Sequence, residues 1–77
     1  MIETKRRVRE IVFSHPDVKQ IHGFYLVKEK KAMRFDIVVS LAAKDRKAVF
    51  KEAVADVQKE FPDYTLYAAM DTDFAEE

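Results

Sequence analysis

Few side chains in this sequence are candidates for catalysis or metal binding. They are two histidines in the first third of the chain and two aspartates near its C-terminus. His15 precedes Pro16, His22 lies seven residues further on, and Asp71 and Asp73 are two residues apart. An imidazole can transfer protons or bind a metal, and paired carboxylates can do either. The chain has no cysteine, which excludes disulfides and thiolate metal sites. A metal held by histidine and carboxylate side chains remains open.

Catalysis has little support in the sequence. Ser14 and Ser40 are the only serines, and neither lies in a nucleophile elbow. With Gly23 as the single glycine, a glycine-rich phosphate loop and the clamp of KH domains are both excluded. Carboxylates such as Asp71 and Asp73 do acid–base work only in a desolvated cleft, which a chain end seldom supplies. We therefore expect that the protein is not an enzyme.

Composition narrows the choice of partners. The 77 residues form one domain, residues 1–77, whose small core often needs a metal or oligomerisation for stability. Lys+Arg and Asp+Glu balance at 14 each, and Glu3 and Glu10 bracket the basic run at 5–9. The balanced charge and the flanking glutamates indicate that the basic run at 5–9 is a solvent-exposed helix face and not a nucleic-acid binding site. No apolar run is long enough to cross a bilayer, so we expect a soluble chain without direct membrane insertion.

Two helices are predicted from apolar residues that recur with helical spacing. The first covers residues 3–14 and ends before Pro16, because proline disfavours the helical conformation of its predecessor. The second follows Asp45, a good N-cap residue, and ends at Pro62. His15, at the end of the first helix, is expected to satisfy free carbonyl groups there.

Three strands account for most of the remaining chain. They are predicted over residues 18–28, 32–41 and 64–71, with a charged turn at 28–31. In the second strand, alternation places Met33, Phe35, Ile37 and Val39 on one face. Gly23, inside the first strand, indicates a bulge or a close backbone approach.

The order α-β-β-α-β predicts a ferredoxin-like α+β sandwich. Both helices have one apolar stripe and the sheet has one dry face, so the two helices should cover the same face of a three-stranded mixed sheet. The first two strands should form an antiparallel hairpin, and the last should return parallel to one of them. The predicted core includes Phe35, Val49, Phe50 and Val57.

One stretch of sequence carries a family resemblance. Residues 14–25 read Ser-His-Pro-Asp-Val-x-x-Ile-His-Gly-Phe-Tyr, leading from a helix end into a strand with His22 in its middle. An apolar strand follows, then a helix ending in Glu-Phe-Pro-Asp at 60–63 and the closing Met-Asp-Thr-Asp at 70–73. This order resembles the C-terminal cytoplasmic domain of the cation diffusion facilitator metal transporters.

The resemblance implies a regulatory metal site. His22 matches the family's first-strand histidine, Asp73 its terminal aspartate, and Asp71 the place of the histidine two residues earlier. The second-strand and helix ligand positions fall near Val39 and Lys47, which are not usual ligands. One imidazole with two carboxylates favours manganese or iron(II), leaves zinc open and disfavours copper(I).

The resemblance also implies a homodimer at the cytoplasmic face of the cell membrane, with the transporter's own transmembrane domain as its partner. Tyr25, Val38 and Tyr67 lie on strand faces that the helices do not account for, and are the predicted dimer contacts. The predicted function is dimerisation and metal sensing in a divalent-metal transporter. The alternative is a free-standing α/β sandwich that binds a small molecule on its open sheet face.

Overall fold

A computed structural model describes the backbone of residues 2–72 and the side chains of residues 3–71. Its elements are α1 (Ile2–Phe13), β1 (Val18–Val27), β2 (Ala32–Val39), α2 (Arg46–Glu60) and β3 (Thr65–Thr72). The predicted order α-β-β-α-β is confirmed, and the element bounds differ from the predicted ones by two residues at most. Neither α1 nor α2 is long and apolar enough to cross a membrane.

Local sequence signals set both helices. α1 ends at Phe13, three residues before Pro16. The Oδ1 atom of Asp45 accepts a hydrogen bond from the backbone N–H of Ala48 at 3.1 Å, as expected of an N-cap. α2 then ends two residues before Pro62. Residue type alone therefore predicts the end of α1 and both ends of α2.

His15 has a different partner from the one predicted. Its Nε2 atom lies 2.8 Å from Oδ2 of Asp56, in the C-terminal half of α2, whereas the sequence favoured carbonyl groups at the end of α1. The prediction considered only the local helix end, and packing of the two helices brings a carboxylate within reach. His15 thus ties the C-terminal end of α1 to α2.

The sheet is mixed, as predicted, in the order β1-β2-β3. β1 and β2 are antiparallel and are joined by the turn after Val27, whereas β2 and β3 are parallel and are connected through α2. β2 is consequently the central strand, and it lies between the two strands that carry His22 and Asp71.

The core lies between the helices and one face of the sheet. Its fully buried side chains come from α1, β2 and α2, and they are Val8, Val12, Met33, Phe35, Ile37, Val39, Ala53 and Val57. Both helices therefore cover the same face. Phe35 and Val57 are buried as predicted, whereas Val49 and Phe50 are half-buried and pack at the margin of the core. The stripe of α2 that meets the sheet is centred on Ala53 and Val57.

Candidate site on the open face of the sheet

The face of the sheet opposite the helices, which we term the open face, carries the polar and aromatic strand residues. Pairing across the three strands arranges them in rows: Tyr25, Arg34 and Tyr67; then His22, Asp36 and Ala69; then Gln20, Val38 and Asp71. Side chains of one row are direct neighbours. The rows show which residues the fold brings together.

A bulge at Gly23 decides that His22 belongs to this face. Three steps along β1, from Tyr25 to His22, match two steps along β2, from Arg34 to Asp36. Strict alternation from Tyr25 would turn His22 towards the core, because side chains alternate with a period of two. The extra residue inverts that alternation, and Gly23 absorbs it with a φ of +61°, a conformation that favours glycine. His22 is consequently exposed.

The neighbour that His22 gains is Asp36, a residue absent from the predicted ligand set. Directly opposite residues of an antiparallel pair have Cβ atoms about 5 Å apart. A Cβ atom on Gly23 would lie 3.6 Å from Oδ2 of Asp36, so this carboxylate sits over the bulge. The alternation of β2 already placed Asp36 on the outer face, but no local pattern predicted that His22 would lie opposite it. An imidazole and a carboxylate at facing positions of neighbouring strands provide two potential metal ligands.

The predicted ligands do not come together within the described residues. His22 lies on β1 and Asp71 on β3, and the intervening strand separates them by about 10 Å, in different rows. Asp73 lies outside the described residues. Among residues 3–71, no group of three histidine, aspartate or glutamate side chains could hold a metal ion. The set of His22, Asp71 and Asp73 stays a prediction, and the pair of His22 and Asp36 is what the structure assembles.

The predicted dimer contacts differ in how much surface they present. Tyr25 and Tyr67 are 65% and 61% exposed, on either side of Arg34. Val38 is only 6% exposed, so little of its surface could be buried against a partner. A shallow hollow of about 200 Å³ lies beside the tyrosines, lined by Tyr25, Val27, Ala32, Met33, Arg34 and Tyr67. Two large aromatic side chains thus remain uncovered on this face.

The two-layer fold with one open sheet face is also the fold of the MamM C-terminal domain. Solved structures of the MamM C-terminal domain resemble this chain over nearly its whole length. The nickel form of one MamM variant has a TM-score of 0.70 at 12% identity, covering 95% of this chain and 99% of that chain. The copper form of another variant has a TM-score of 0.70 at 10% identity, covering 95% and 98%.

At this low identity, the likeness establishes a shared fold and leaves the site residues to be argued from this chain. The fold that the sequence resemblance implied is therefore confirmed. No family model matches the sequence, and no curated protein matches it significantly.

Proposed function

We propose that this chain is the cytoplasmic domain of a cation diffusion facilitator transporter, where it forms a dimer and responds to a divalent metal. The observation that carries the proposal is the end-to-end match in fold to MamM C-terminal domains. The match covers 95% of this chain and 99% of that domain. The proposed role is non-enzymatic, at the cytoplasmic face of the membrane, with the transporter's own transmembrane domain as partner.

The open face supplies the proposed dimer surface. Tyr25 and Tyr67 would lose their exposed area against a second copy, and burial of apolar surface contributes about 25 cal/mol per Å². A domain with so small a core has a marginal stability of its own, typically about 3–5 kcal/mol. Dimerisation would therefore add appreciably to the stability of the folded chain.

The pair of His22 and Asp36 supplies the proposed metal ligands. One chain contributes an imidazole nitrogen and a carboxylate oxygen, which leaves a metal incompletely coordinated. The equivalent pair of a second copy would bring the number of protein ligands to four. Nitrogen and oxygen donors suit zinc, manganese and iron(II), the ions that the sequence left open. A bound ion would then strengthen the dimer and supply positive charge between the two pairs of ligands.

Analytical ultracentrifugation tests both parts of the proposal. The wild-type protein should be dimeric at high micromolar concentration, and zinc, manganese or iron(II) should tighten the dimer. His22→Ala and Asp36→Asn should each remove the metal response, whereas Asp63→Asn, a carboxylate in the exposed turn after α2, should retain it.

Two outcomes would contradict the proposal separately. A protein that stays monomeric with and without every metal would refute the dimer. A dimer whose metal response survives in both His22→Ala and Asp36→Asn would refute this ligand pair while leaving the dimer intact.

The hollow beside Tyr25 and Tyr67 favours a second candidate, a small-molecule site on the open face. Its lining is apolar and combines two aromatic side chains with the alkyl part of Arg34, which suits a small planar apolar molecule. Tyrosine fluorescence titrated with naphthalene checks this candidate. Saturable quenching by a monomeric wild type, absent in Tyr67→Ala, would favour it over the dimer. No quenching, or equal quenching in Tyr67→Ala, would exclude it.

A further inference from the structure

The surface of α1 divides into three strips with helical spacing. The buried strip packs on the core through Val8, Ile11 and Val12. The inner strip, on the side of α2, carries Glu3, Arg7, Glu10 and Ser14. The outer strip, on the side away from α2, carries Lys5, Arg6, Arg9 and Phe13.

Charges on the inner strip are paired within the molecule. Arg7 donates to Glu60 of α2 at 3.3 Å and to Glu10 at 3.2 Å. These hydrogen bonds, with Glu60 as the larger influence, raise the pKa of Arg7. The acidic residues that bracket the basic run in the sequence therefore lie on a different side of the helix from most of that run.

The outer strip has three cations and no carboxylate. Within residues 3–71, neither Lys5 nor Arg6 forms an ion pair or a hydrogen bond through its side chain. The guanidinium carbon of Arg9 lies 5.1 Å from the centre of the Phe13 ring, and Phe13 is 38% exposed. A chain with no net charge thus presents a local concentration of positive charge beside an exposed aromatic ring.

We propose that the outer strip of α1 docks on anionic phospholipid headgroups at a membrane surface. Juxtamembrane cations are attracted to the negative cytoplasmic leaflet, and an aromatic side chain next to them can settle at headgroup level. The inference rests on the proposed function, which places the domain beneath a bilayer. The outer strip belongs to the helical layer and the proposed dimer surface to the opposite face of the sheet, so both contacts can form at once.

Vesicle co-sedimentation tests this surface. The wild type should bind phosphatidylserine-rich vesicles, bind pure phosphatidylcholine vesicles far less, and dissociate at high salt. The triple variant Lys5→Gln/Arg6→Gln/Arg9→Gln should lose roughly 100-fold in affinity, at about fivefold per charge. The charge-matched control Lys28→Gln/Lys30→Gln/Lys47→Gln removes three exposed lysines from other surfaces and should bind within a few fold of wild type.

A fluorescent reporter checks the orientation of the helix. Because the chain has no tryptophan, Phe13→Trp introduces a single probe on the outer strip. Its emission should shift to shorter wavelength on phosphatidylserine-rich vesicles and stay unchanged on phosphatidylcholine.

Three results would overturn the inference: no binding to anionic vesicles, an equal loss of binding in the control, or no emission shift. The triple variant should keep wild-type dimerisation and thermal stability in the absence of vesicles. If the triple variant loses only vesicle binding, the result supports the role of the outer strip. If the wild type is monomeric, the result contradicts the proposed function and leaves the role of the outer strip to the vesicle experiments.

Discussion

The side chains of β2 alternate between the two faces of the sheet, and the two faces differ in how deeply these side chains are buried. On the face covered by the helices, Met33, Phe35, Ile37 and Val39 are almost completely buried. On the open face, Arg34 is exposed and Asp36 half-buried beside it, and only Val38 is shielded. The covered face holds the fold together, whereas the open face has the side chains that can bind something else.

Because of this difference in burial, the residues of β2 on the covered face should contribute mainly to stability and those on the open face mainly to binding. Truncation on the covered face leaves a cavity that its close-packed neighbours cannot fill. Substitution on the open face changes contacts with solvent and should alter the fold little. Variants of the two faces can therefore test the proposed roles independently.

Phe35→Ala should have the largest effect on stability. It removes a fully buried ring, which contacts Phe24 in a stacked arrangement, and should cost about 3–5 kcal/mol. That is close to the whole stability of so small a domain, so the protein should be largely unfolded. Phe50→Ala, at the half-buried margin, should cost about half as much. Urea unfolding measures both, and equal losses would contradict the assigned limits of the core.

Gly23→Ala should have the next largest effect, because an alanine at a φ of +61° is strained by about 1–2 kcal/mol. Relief of that strain by loss of the bulge would turn His22 away from Asp36 and remove the metal response. Gly23→Asn is the matched control, since asparagine tolerates this conformation. Urea unfolding with metal titration measures both effects; a stable Gly23→Ala variant with the full metal response would argue against the role of the bulge.

The two histidines should differ in what their loss changes. His15→Ala breaks the contact with Asp56 between the helices and should lower the free energy of unfolding by about 0.5–1.5 kcal/mol, with the metal response unchanged. His22→Ala should change stability by less than about 0.5 kcal/mol and remove the metal response. Thermal melts and metal titrations of both variants check the contrast. A reversed pattern would place the metal at the helical layer.

Tyr67→Glu should have the smallest effect on the fold and a large one on assembly. The exposed ring contributes little to the monomer, so the unfolding free energy should change by less than about 0.5 kcal/mol. A charge at the proposed interface should weaken the dimer at least tenfold, or about 1.4 kcal/mol. Leu41→Glu, at an apolar residue 49% exposed in the loop after β2, is the control. Sedimentation equilibrium should show a weaker dimer for Tyr67→Glu only.

Local sequence patterns were sufficient to predict the helices and strands, but they did not predict which side chains become neighbours at the site. Asp45, Pro16 and Pro62 mark the helix ends because capping and proline geometry depend on neighbouring residues only. The partner of His15 was missed because Asp56 is distant in sequence. The neighbour of His22 was missed because it depends on where the extra residue at Gly23 falls in the pairing of β1 with β2.

The sequence by itself determined the five elements, their order and the dry face of β2, since periods of 3.6 and 2 are properties of short segments. Only the tertiary structure decided that His22 lies opposite Asp36, that β2 separates His22 from Asp71, and that Arg7 of α1 pairs with Glu60 of α2. The physical reason is that one extra residue inverts which face a strand residue occupies. Strand order and helix packing then set which faces become neighbours, and no single segment contains that information.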